Sequence, residues 1–171
     1  MAKRRQEWFA QRTTLLAMGE GSVDVAFLKH LRQLYCAQKQ GVNVTIRNAH
    51  GKGPGNVIRK AIGSSRTTSF DRKLCLIDTD LPWTRKQAKE ASDCGIRLIG
   101  STPCIEGLLL RILGEQVPQL SVDCKRALQQ LAGTNFQQPE DYQTFFPLHA
   151  LENARSTIEA LDTLICMFKC D

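Results

Sequence analysis

Four short stretches hold the side chains best suited to chemistry: Gly-Glu-Gly at 19–21, Asp-Thr-Asp at 78–80, Glu106, and the run His50-Gly-Lys-Gly-Pro-Gly-Asn56. Glu20 and the Asp78/Asp80 pair stand where an apolar run ends, and Glu106 lies one loop beyond another. Carboxylates gathered at one place repel unless a cation sits among them, and oxygen donors without cysteine or histidine favour a hard ion such as Mg²⁺ or Mn²⁺. A divalent-metal site built from Glu20, Asp78, Asp80 and Glu106 is therefore expected. Residues two apart in an extended segment share a face, so Asp78 and Asp80 can point the same way. Glu20, crowded by these acids, suits a general acid or base. The same residues also read as turn formers, with Glu20 a surface side chain in a tight bend.

The run at 50–56 invites comparison with a phosphate-binding loop but lacks the G-x-x-x-x-G-K-[ST] spacing of a nucleotide-binding motif. Backbone amides at the following helix start, with Lys52 and Arg59 or Lys60, can hold a phosphate of a polymer; a purely structural turn is the equal alternative. His50 reads as a loop residue or a substrate contact, since no second histidine is spaced to join it in a metal site.

These groups need a scaffold that brings strand ends together. Residues 13–18 are short and apolar and run into a Gly-Glu-Gly break, with helical spacing from Val23 to about Gln38. Val42 to Ile46 alternates as a strand, and 57–62 reads as a helix stopped by Gly63. Lys73 to Ile77 is a continuous apolar run, the mark of a strand covered on both faces. A charged helix over 84–94, a strand over 96–99 and an apolar helix over 105–113 follow. Further helices are expected over 121–131 and 148–168. The alternation implies an α/β fold, a mostly parallel Rossmann-like sheet with right-handed crossovers, helices on both faces and a C-terminal helical flank. In such sheets the residues just past the carboxyl ends of the strands share one edge, where ligands bind.

At 171 residues the chain has the size of one domain. It divides into a basic arm at 1–12, an α/β core at 13–113 and a helical extension at 114–171 packed on that core. Residues 1–100 hold 18 Lys and Arg against 8 Asp and Glu, whereas 101–171 hold 5 against 9. A basic face concentrates polyanions, which makes nucleic acid the expected partner. No apolar run approaches the roughly 18 residues of a membrane span, and no signal-like segment follows the N-terminus, so a cytoplasmic location without membrane contact is expected. Seven cysteines without a C-x-x-C pair argue for reduced core residues, not a disulfide framework.

Four blocks, Gly-Glu-Gly-Ser-Val-Asp-Val-Ala-Phe-Leu at 19–28, Gly-Asn-Val-Ile-Arg-Lys-Ala at 55–61, Leu-Ile-Asp-Thr-Asp at 76–80 and Ser-Thr-Pro-Cys-Ile-Glu-Gly-Leu-Leu-Leu at 101–110, together resemble the RloB-like family of the Toprim superfamily, relatives of the overcoming-lysogenization-defect nucleases. The likeness spans about residues 13–113. It implies a Toprim fold, with Glu20 as the superfamily's glutamate and Asp78 and Asp80 as its metal-binding Asp-x-Asp. Asp24 falls on the second acidic position and Glu106 on the acid of the fourth block. Thr102, Ile105 and Gly107-Leu108 depart from the family's usual residues and leave the acids in place.

Two functions follow as expectations. The first is a Mg²⁺- or Mn²⁺-dependent phosphodiesterase of DNA or RNA, in bacterial phage defence or a mobile element by the resemblance. Glu20, Asp78 and Asp80 would be catalytic, and Glu20, Asp24, Asp78, Asp80 and Glu106 would hold metal. His50, Lys52, Asn56, Lys60, Lys86 and Ser101 would face substrate, the lysines neutralising phosphate charge. The second is a non-catalytic Toprim module that binds nucleic acid or a separate ATPase partner, alone or as an oligomer.

Overall fold

The computed structural model describes residues 12–37 and 41–169, so the basic arm, apart from Arg12, lies outside the described residues. The elements run β1 (Thr14–Gly19), α1 (Ser22–Tyr35), β2 (Asn43–Asn48), α2 (Pro54–Thr67), β3 (Arg72–Asp78), α3 (Arg85–Asp93), β4 (Ile96–Ser101) and α4 (Ile105–Ile112). Then come α5 (Ser121–Ala132), a 3-10 turn at Pro139–Tyr142, α6 (Leu148–Arg155) and α7 (Glu159–Phe168). The four strands are all parallel, in the order β2-β1-β3-β4.

Alternation along the strands feeds two cores, one on each side of the sheet. Leu15, Ala17, Leu74 and Leu76 pack with α1 and α4. Met18, Cys75 and Ile77 pack with Val57, Ile58 and Ala61 of α2 and Ala91 of α3. Leu74 to Ile77 are all fully covered, which is why β3 reads as an unbroken apolar run. From β1 the chain steps outward to β2 with α1 on one face. It then returns through β3 to β4 with α2 and α3 on the other face. Reversing direction while changing face is what crossovers of a single hand require. The reversal falls between β1 and β3, so the carboxyl ends of these neighbours, at Gly19 and Asp78, open onto one crevice.

Several helix boundaries differ from the sequence expectation: α1 ends at Tyr35, α2 starts at Pro54 inside the Gly/Pro run, and two further differences have a local cause. Gly63 does not end α2, which continues to Thr67. A Cβ at Gly63 would meet open space, so the residue costs only its propensity, about 1 kcal/mol, and burial of Val57, Ile58, Ala61 and Ser64 offsets it. The helix expected over 148–168 is two helices, broken where Ser156 and Thr157 donate their hydroxyls back to the carbonyls of Asn153 and Ala154.

The C-terminal flank joins the core on the α1 face. Tyr142 is fully buried, stacks on His30 and packs against Phe27, Phe136 and Phe146. Its hydroxyl lies 3.0 Å from both the Val23 and Phe136 carbonyls. The His30 Nε2 sits 2.8 Å from the Phe146 carbonyl, and burial lowers the ring's pKa, so it donates there as a neutral imidazole. Cys75, Cys94, Cys104, Cys124 and Cys166 form no disulfide, and burial pushes the Cys75 thiol up to about 12, as for a core hydrophobe. Among the described residues no helix is long and apolar enough to cross a membrane.

Candidate functional site

A cleft of about 220 Å³ opens where β1 and β3 end, and its lining includes Glu20, Asp24, Asp78, Glu106 and Lys125. Four acids distant in sequence meet here for local reasons. Glu20 follows β1 directly, and its Oε2 accepts from the Asp78 amide at 3.2 Å. Asp24 is the third residue of α1, and its Oδ2 accepts from the Gly21 amide at 3.0 Å, closing the helix start. Gly19 allows this approach, because a Cβ there would lie 2.9 Å from the Asp24 Cβ.

Asp78 is the last residue of β3, paired in register with Ser101 of β4. Its Oδ1 accepts from the Ser101 hydroxyl at 2.9 Å and from the Ile105 amide, at the start of α4, at 2.8 Å. Glu106 follows in the first turn of α4 and is buried. Two carboxylate oxygens, Asp24 Oδ1 and Glu106 Oε2, are buried without a hydrogen-bond partner.

That arrangement is electrostatically poor as an isolated protein. Burial pushes the Asp78 carboxyl up to about 7; the Ser101 bond pulls down, while the charges of Glu20 and Glu106 add to the rise. Burial likewise holds Asp24 well above the usual carboxylate range, and the charge of Asp78 raises it further. A proton or a cation relieves the repulsion. The donor set, all oxygen with two unsatisfied buried atoms, fits Mg²⁺ or Mn²⁺ in chemistry. Among the described residues no group of three or more acidic, histidine or cysteine side chains is placed so that it could hold a metal ion.

The remaining expected site residues are placed less centrally. Asp80 is exposed outside the cleft, and its Oδ2 accepts from the Ser121 hydroxyl at 2.6 Å. The strand has ended by then: the amides of Thr79 and Asp80 both donate to the Pro103 carbonyl, so the shared-face rule for extended chain no longer applies. Asn56 and Lys60 serve the loop, donating to the Ala49 carbonyl, with Asn56 also reaching Gly51. His50 and Lys52 are exposed, and with Gly51 and Gly53 they form a run of positive φ. That run carries the Gly51 amide to the Glu20 carbonyl at 2.8 Å. Lys52 borders a separate hollow together with Arg59 and Gln87. Lys86 is exposed on α3 and does not line the acidic cleft.

Lys125 is the cleft residue that sequence reasoning missed. It sits one turn after Ser121 on α5, in a segment with no recognisable motif, and only the packing of α5 on α4 brings it to the strand ends. Compared with protein-family models, with curated proteins and with solved structures, the chain shows no match.

Proposed function

We propose that the cleft at the ends of β1 and β3 binds a divalent cation and hydrolyses a phosphodiester of nucleic acid. The observation that carries this reading is the pair of unpartnered buried oxygens, Asp24 Oδ1 and Glu106 Oε2, beside the elevated Asp78. Buried charge without a partner is costly enough that a fold keeps it mainly where something binds. Asp24, Asp78 and Glu106 would hold the ion, with Glu20 at their border. A bound Mg²⁺ or Mn²⁺ supplies charge neutralisation at the scissile phosphate and a more acidic water.

The chain's own groups do the rest. Ser101 and the Ile105 amide fix the Asp78 carboxylate through Oδ1. Glu20, held at Oε2 by the Asp78 amide, takes the proton of the attacking water at Oε1 as the P–O bond to the sugar oxygen breaks, and that oxygen leaves with a proton from solvent. Lys125, exposed at the cleft, draws the phosphate in against the acids. The exposed Arg59, Lys60, Arg66 and Lys86 of α2 and α3 attract the rest of a polyanion. By the resemblance of its four sequence blocks, such an activity would serve phage defence or a mobile element.

Two observations favour the binding-module reading: Asp80 is engaged with Ser121, and among the described residues no group of three or more acids is placed so that it could hold a metal ion. The test separates the two. Purified protein is incubated with plasmid, single-stranded DNA and RNA in Mg²⁺, Mn²⁺ or EDTA. Cleavage is expected only with metal, and Asp78→Asn or Glu106→Gln should lower it by more than about a hundredfold with the fold intact. Asp80→Asn should cost less, because Asp80 acts through α5. Salt-sensitive, metal-independent binding without product would instead establish the module.

A further inference from the structure

A second cavity, of about 400 Å³, adjoins the acidic cleft and shares Ser22, Val23, Glu106 and Lys125 with it. Beyond those shared residues its lining carries no charge. Gln129 of α5 and Asn135 and Gln137 of the following loop supply three exposed primary amides, while Leu128 and Phe136, which also border it, are buried and turn no open face to it. Among the described residues no side-chain hydrogen bond occupies these amides. The loop that presents two of them is firmly seated. Phe136 has a φ of 51°, its ring is buried against Tyr142, Phe145 and Phe146, and its carbonyl receives the Tyr142 hydroxyl.

Glu106 joins the two hollows: it is only 7% exposed and lines both. A phosphate would find a single cation here, Lys125, at the junction. An amide offers in-plane donors and acceptors together, the pattern that matches the edge of a heterocyclic base. The size falls in the range of small-molecule sites.

Resting on the phosphodiesterase reading for its orientation, we propose that this cavity takes one unpaired nucleobase of the nucleotide next to the phosphate held at the acids, read by Gln129, Asn135 and Gln137. A base inside a duplex cannot enter such a cavity, so the substrate is single-stranded or unpaired at that position. Lys125 and Glu106, common to both hollows, mark where base and phosphate part.

The test uses short single-stranded oligonucleotides in which one abasic nucleotide is moved a position at a time. Binding to the full chain is read by fluorescence anisotropy in Ca²⁺ and in EDTA, and cleavage in Mn²⁺. At one position removal of the base should weaken binding at least tenfold, and Gln129→Ala/Asn135→Ala should bring that ratio close to one. Both side chains are exposed, so the double variant should keep its melting temperature. A wild type indifferent to abasic placement, or a ratio that survives in the variant, overturns the proposal. Base-dependent binding without any cleavage leaves the pocket standing and removes the phosphodiesterase; cleavage indifferent to the base does the reverse.

Discussion

Asp78 concentrates the tension of the cleft. It ends a fully buried strand, accepts two hydrogen bonds through one oxygen, and lies close enough to Glu20 and Glu106 that their charges oppose its ionisation. The folded carboxyl titrates at about 7, against 3.8 for an ordinary Asp. Between those values the unfolded chain has released a proton that the folded chain retains, so stability falls as pH rises through that window. Asp24, shifted in the same direction, adds to the fall. His30 works in the opposite sense: its lowered pKa makes stability rise with pH just below 6.5. Comparison with Asp78→Asn cancels the histidine. In EDTA, melting curves from about pH 4 to pH 7 should show the variant gaining on the wild type as pH rises, and parallel profiles would contradict the burial of this charge. Glu20 and Asp78 were legible as partners because each ends an apolar strand run. Asp80 was legible as an acid but not in its placement, because the backbone turns onto the Pro103 carbonyl directly after Asp78.

At the level of elements, the close seating of α4 on the loop before it delivers Ile105 and Glu106 to Asp78. Gly107 permits that seating: a Cβ there would stand 2.8 Å from the Thr102 carbonyl oxygen and 2.7 Å from the Pro103 Cδ. Gly107→Ala should therefore push α4 outward, cost about 1–3 kcal/mol, and draw the Ile105 amide away from Asp78. For a chain of this size each kcal/mol lowers the melting temperature by about 2–4 °C. A thermal melt monitored by circular dichroism checks this, and an unchanged transition would show that the loop yields freely. The strands and first four helices were readable because parallel strands buried on both faces are apolar throughout and end on Gly or Asp. The break between α6 and α7 was not, since apolar residues resume on either side of it and the interruption comes from two hydroxyls bonding back to the chain. Lys125 was hidden for a different reason, because α5 reaches the cleft only through packing against α4.

Across the whole molecule, the sheet order determines the site. Because β1 and β3 are neighbours while their connections leave in opposite directions, Glu20 and Asp78 share a crevice although 58 residues separate them. The C-terminal flank closes that crevice from one side: α5 adds Lys125, and the aromatic cluster around Tyr142 ties the flank to α1 beside Asp24. The α2 and α3 face carries exposed Arg and Lys on the other side, so a polyanion can approach along positive surface toward an acidic centre. Such a centre favours phosphate only when a cation occupies it, which makes ion binding the claim on which the functional reading depends. Anomalous diffraction from crystals grown with Mn²⁺ tests it most directly. The expected result is a peak in contact with the carboxylate oxygens of Asp24, Asp78 and Glu106, lost in Glu106→Gln; a peak confined to other residues, or none at saturating Mn²⁺, would contradict it.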